Sequence, residues 1–118
     1  MLNIESFRDY CLSKKGVSES FPFDETTLVF KVGGKMFALT SLESLDLEVN
    51  LKCDPEWAIE LREEHPSITP GFHMNKKHWN SVLVNEAISE SFFYQLVEHS
   101  YELVVRSLTK KMRKDYGL

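Results

Sequence analysis

Only two cysteines, four prolines and five glycines occur in the chain, and no apolar run approaches the roughly 18 residues of a membrane span. Cys11 and Cys53 have no C-x-x-C spacing, and two cysteines are too few for a disulfide-built secreted scaffold. Two reduced thiols in a cytoplasmic protein are therefore expected. Met1-Leu2-Asn3-Ile4-Glu5 brings an acid at once and no apolar stretch follows, which argues against a signal peptide. The phosphate-cradling patterns G-x-x-x-x-G-K-S/T and G-x-G-x-x-G are absent. His73 and His78 lie five apart, outside the H-E-x-x-H arrangement, and no neighbouring cysteine or carboxylate completes a tetrahedral set. No metal and no cofactor are expected. Nothing in the spacing unites Cys53, a histidine and Asp54 as a nucleophilic system, so no catalytic residue is assigned and the protein is read as non-enzymatic.

What is present fits one globular domain over residues 1–118, since 42% of the residues are hydrophobic and 27% charged. The net charge of -4 makes the whole molecule a poor binder of polyanions, so such a role must rest on a local patch. Charge is also polarised along the chain. From Arg106 onward there are five basic residues and one acid, which leaves nine basic and seventeen acidic residues in the rest.

Local patterns give the element order. Asn3 is an N-cap for a first helix carrying Ile4, Phe7, Tyr10 and Cys11, and Gly16 ends it. Residues 17–25 read as a loop, with Pro22 holding Phe21 extended and the rings of Phe21 and Phe23 set against a sheet. From Thr27 the apolar period is two. Gly33-Gly34 makes a two-residue hairpin turn that would pair Phe30 with Phe37 and Leu28 with Leu39. A third strand alternates Leu47, Val49 and Leu51 with polar residues, leaving one face of an antiparallel sheet wet. Asp54-Pro55 opens a second helix that stops before His65-Pro66. Ile68-Thr69 reads as briefly extended, residues 79–84 read as another strand, and alternation does not decide whether Trp79 and Leu83 or Val82 and Val84 face the core. Ser89 caps a long last helix, after which Lys110-Lys111-Met112-Arg113-Lys114 reads as a fraying basic tail. The core expected from these periods is Phe30, Phe37, Leu47, Val49, Leu51, Trp57, Leu61, Phe92, Leu96 and Val104.

One stretch has neither period. In Pro70-Gly71-Phe72-His73-Met74-Asn75-Lys76-Lys77-His78-Trp79-Asn80, aromatic, basic and hydrogen-bonding side chains crowd together. Lys76, Lys77 and His78 suit phosphate contacts and Asn75 suits hydrogen bonding, while His73, Trp79 and Asn80 shape the loop. The competing reading is a solvated loop whose aromatic ends are ordinary core.

Several motifs, taken in order, resemble the MmcQ/YjbR family of bacterial proteins. They are Phe21-Pro22-Phe23, the run from Leu28 through Gly33-Gly34 to Leu39, Asn50-Leu51-Lys52-Cys53-Asp54-Pro55, the central stretch above, and His99-Ser100-Tyr101-Glu102-Leu103-Val104-Val105. The resemblance implies an α+β fold ordered α-β-β-β-α-β-β-α, similar to secretion chaperones, with helices packed on an antiparallel sheet. It also implies DNA binding through a double wing. Here the wings would be the Gly33-Gly34 hairpin, flanked by Lys31 and Lys35, and the loop of Asn75, Lys76, Lys77 and His78. Double-stranded DNA is the first partner expected, and a peptide or protein held on the sheet is the alternative. A monomer without membrane association completes the expectation.

Overall fold

In the computed structural model, which describes residues 2–71 and 74–118, helices pack on one face of a six-stranded antiparallel sheet. The elements are α1 (Ile4–Leu12), β1 (Val17–Ser20), β2 (Thr27–Val32), β3 (Lys35–Ser41), β4 (Glu48–Lys52), α2 (Pro55–Glu64), β5 (Ile68–Pro70), β6 (Trp79–Leu83), α3 (Glu90–Ser107) and α4 (Lys110–Asp115). The sheet order is β1-β2-β3-β4-β6-β5. The expected order is present with two additions, since residues 17–20 form an edge strand and the basic tail forms α4. No described helix is long and apolar enough to cross a membrane.

Local chemistry sets the helix starts. Asn3, Asp54 and Ser89 each accept a backbone N–H of the first turn, and Asn3 and Ser6 reciprocate in a capping box. Thr109 does the same for α4 by accepting the Met112 N–H. Arg113 then reaches back to the carbonyls of Val105 and Arg106, which end α3, so the tail is fastened and does not fray.

The hairpin register departs from the expected one. Lys31 faces Met36 as a two-residue turn requires, but Phe30 faces Ala38 and Leu28 faces Thr40, because a β-bulge leaves Phe37 as an extra residue. The bulge turns both Phe37 and Ala38 toward the helices, where both are fully buried. Phe37 meets Tyr101 edge-on at 5.6 Å.

The bulge also has a polar consequence. Ladder pairing of β3 with β4 runs over Ala38–Thr40 and stops, so the next rung, Phe37 with Lys52, is missing. Ser100 of α3 fills it. Its hydroxyl donates to the Phe37 carbonyl at 2.5 Å and accepts the Lys52 N–H at 2.9 Å, with Ser100 fully buried. Neighbouring residues add further ties. Glu98 accepts from Lys14 and from the Tyr10 hydroxyl, His99 accepts the Asp54 N–H, and the Tyr101 hydroxyl donates to the Lys15 carbonyl.

Seven of the ten expected core residues are buried, and Leu47, Trp57 and Phe92 pack partly buried at the margin. Phe7 and Phe93 are fully buried at the centre, in edge-on contact at 5.6 Å. On β6, Val82 faces the main core, while Trp79 faces the opposite side of the sheet in a small cluster with Val29 and Leu39. The rings of Phe21 and Phe23 stay 47% and 61% exposed, so they do not seal the loop onto the sheet as expected. Cys11 and Cys53 are free and buried, and burial pushes both thiols up to about 12.

Ser100→Ala is expected to cost about 3 kcal/mol, because it strands two backbone groups in an apolar setting, and Phe37→Ala about 3 to 5 kcal/mol from cavity formation. Urea unfolding of both variants checks this. A Ser100→Ala curve overlying the parent's would show that the inserted hydroxyl is dispensable.

Candidate functional site

Strand directions decide which loops share an end of the sheet. β2 ends and β3 begins at the Gly33-Gly34 turn, β4 ends there with Lys52, and antiparallel β6 begins there with Trp79. The Gly33-Gly34 turn, over β2 and β3, and the loop segment 74–78, over β6 and β5, therefore project from the same end, with centres about three strand spacings, or ~14 Å, apart. Both glycines have positive φ, 58° and 82°, as a two-residue turn of this hand needs. The chain's C-terminal part covers this turn. A Cβ on Gly33 would lie 2.5 Å from Leu108 Cδ1, and one on Gly34 would lie 3.6 Å from the Tyr116 hydroxyl.

The second projection is built from inside. Arg62, on α2, donates Nε to Asn80 Oδ1 at 2.6 Å and Nη2 to the carbonyls of Trp79, at 3.3 Å, and Lys76. Asn80 is buried, and its Nδ2 has no hydrogen-bond partner among the described residues. Asn75 Oδ1 accepts the Lys77 N–H at 2.9 Å, and the His78 carbonyl accepts the Cys53 N–H at 2.8 Å, which ties the loop to the end of β4. Lys76 donates Nζ to the Gly71 carbonyl at 3.1 Å, so it braces the loop while remaining exposed. Lys77 is exposed, and no described hydrogen bond or ion pair holds its ammonium group. His73 lies outside the described residues.

The structure thus brings Asn75, Lys76, Lys77 and His78 together, with Trp79 and Asn80 as their base in β6. Lys35 stands exposed at the hairpin tip, and Lys31 is half-buried on the helix-free face of the sheet. Two contributors were missed in the sequence. Arg62 has no assigned role in the sequence, and the lysines of α4 read there as a fraying tail although Thr109 offers an N-cap signal. Lys110, Lys111 and Lys114 join Lys15 and Lys35 around the docked C-terminus. Asp54, Glu56 and Asp115 are acids at this end. The other end carries Asp24, Glu25, Glu43, Asp46, Glu48 and Glu86 on its loops and strand starts. Charge is therefore separated along the strand axis.

Beneath the basic end, His99 Nε2 accepts the Asp54 N–H at 3.1 Å, and its ring stands edge-on to Trp57 at 4.6 Å. An Nε2 that accepts must be unprotonated, so the neutral ring fits this place. Burial lowers its pKa from the usual 6.5, against an opposing pull from Asp54, with Arg106 lowering and Glu102 raising it further. Among the described residues no three His, Cys, Asp or Glu side chains converge as a metal site needs.

An antiparallel six-stranded sheet with helices packed on one face defines an α+β protein. The chain belongs to the YjbR family, whose sequence profile matches residues 12–103. It is 41% identical to the uncharacterised protein YbdF of Escherichia coli O157:H7 over 111 residues, 93% of this chain and 90% of that one. It is 33% identical to the uncharacterised protein YjbR of Escherichia coli K12, with 96% of each covered. The crystal structure of Deinococcus radiodurans protein DR2400 superposes with a TM-score of 0.93 at 42% identity, covering all of this chain and 90% of that one. A Pseudomonas syringae protein gives 0.74 at 29% identity, covering 86% and 98%.

The folded pKa of His99 lies below the unfolded one, so on acidification the unfolded chain takes up a proton that the folded chain resists. Its contribution to stability is intact above pH 6.5 and is lost as pH falls toward the lowered value. The melting temperature is expected to drop between about pH 7 and about pH 5.5, and less so in His99→Gln, which keeps an acceptor without a titrating group. An equal drop in both proteins would assign the effect elsewhere.

Proposed function

We propose that this protein binds duplex DNA, without catalysis, by laying the basic end of its sheet along the phosphate backbone. The observation that supports the reading is the gathering of exposed lysines from three separate projections at one end: Lys35 on the hairpin, Lys77 on the second loop, and Lys110, Lys111 and Lys114 on α4. A chain of net charge -4 is repelled by DNA as a whole. Its separated charges nevertheless orient the molecule, presenting the basic end and turning the acidic loops away.

The spacing suits the role. Two projections ~14 Å apart are close to the width of a DNA groove, about 12 Å for the major one, so each can meet a phosphate row on either side. The loops are fit to hold their lysines still. Arg62 and Asn75 fix the second loop from within, and Leu108 and Tyr116 back the first. Asn75 and Lys76 are engaged in bracing, and Lys35 and Lys77 are the exposed cations of the two wings whose ammonium groups have no partner among the described residues.

Lys35→Glu with Lys77→Glu is expected to lower affinity alike for every duplex sequence and to flatten the dependence of log K on log salt by about two units. Both side chains are exposed, so the melt should not change. Titration of a labelled duplex between about 50 and about 200 mM salt checks it. Equal binding by the folded double variant removes these two lysines from the contact. No binding by the parent even at the low salt ends the DNA reading.

A further inference from the structure

The helix-free face of the sheet carries a second feature that DNA binding does not use. A half-enclosed cleft of about 460 Å³ opens there, within the size range of small-molecule sites. Leu39 forms its apolar floor, continuous with Val29 and Trp79, and Met74 and Phe23 flank it. Phe23 is 61% exposed, an unusual position for a phenylalanine ring with no packing role. Asn50 lines the cleft with its Oδ1 accepting from Ser81 Oγ at 2.8 Å.

Its charge is one-sided. Asp24 and Glu48 line the cleft, and no described Lys, Arg or His does. Asp24 accepts the N–H groups of Thr26 and Thr27 at 2.9 and 2.6 Å, together with the Thr27 hydroxyl at 3.1 Å. These bonds lower its pKa and hold it as a carboxylate. Glu48 is exposed and has no cation partner among the described residues. A lone aromatic ring, an apolar floor and two carboxylates with no cation partner among the described residues match one ligand chemistry. From this geometry we infer that the cleft is a binding site for a small organic cation, an ammonium group on an apolar body. The apolar part would rest on Leu39 and Met74, and the ammonium would sit between Glu48, Asp24 and the face of Phe23. The cleft runs from Met74 toward the acidic end of the sheet, where both of its carboxylates lie, and no lysine named for DNA contact lines it, so the inference stands independently of the DNA reading.

Three probes of matched shape test it: 4-phenylbutylamine, 4-phenylbutanol and 4-phenylbutyrate, titrated at millimolar concentration into nitrogen-15-labelled protein. The amine is expected to shift the amides of Leu39, Thr40 and Asn50, the alcohol to shift the same amides with about fivefold weaker affinity, and the carboxylate to leave them unmoved. Glu48→Gln, at an exposed side chain, should reduce the amine to the alcohol's affinity, while Phe23→Ala weakens both. The inference is overturned if no probe shifts these amides, if the carboxylate binds as well as the amine, or if Glu48→Gln leaves the preference for the amine unchanged.

Discussion

A single hydroxyl stands where the sheet would otherwise have a backbone rung. Ser100 bridges the Phe37 carbonyl and the Lys52 N–H, so α3 is joined to β3 and β4 by hydrogen bonds as well as by packing. Without it, the bulge that places both Phe37 and Ala38 in the core would leave two buried backbone groups unpaired, a cost comparable with a large part of a small domain's stability. The bulge in turn sets how the hairpin leaves the sheet. With His99 holding the start of α2 and Tyr101 holding the turn after α1, three consecutive residues of one helix fix three segments that converge on the same end of the molecule.

Rigidity at that end gives the separation of charge its meaning. Lysines at a frayed terminus would be a diffuse cloud, whereas lysines on a capped α4, flanked by Leu108 and Tyr116 that lie beside Gly33 and Gly34, form a surface of fixed shape. The second loop is held in a like manner by Arg62, a half-buried guanidinium whose partners are backbone carbonyls and Asn80. Acids occupy the opposite end and line the cleft on the helix-free face, so one molecule presents two surfaces suited to ligands of opposite charge.

What could be read from the sequence was what local chemistry dictates. The caps at Asn3, Asp54 and Ser89, the two-glycine turn and the alternation of β4 all act over a few residues, and each was legible. The bulge was not, because it arises from the demand of the distant helix α3 on Phe37. Only the register beyond Lys31 differs from that of a plain hairpin. Val17–Ser20 was hidden as a strand because three of its four residues are polar, and it takes its order from pairing with β2. At the candidate site, the loop of residues 75–78 stood out by composition, but its internal brace did not, since Arg62 reaches it from another element. The approach of Leu108 and Tyr116, on either side of α4, to the hairpin was equally invisible, being a contact across more than seventy residues.

The central claim is that the end of the sheet bearing Lys35, Lys77 and α4 is the surface that meets DNA. Amide chemical shifts of labelled protein, followed while a short duplex is added at low salt, test it most directly. Shifts confined to Gly34 and Lys35, to Lys76 and Lys77, and to Lys110 through Lys114 are the expected result. Shifts centred instead on Glu43, Asp46 and Glu48, or no shifts at any duplex concentration, would contradict it.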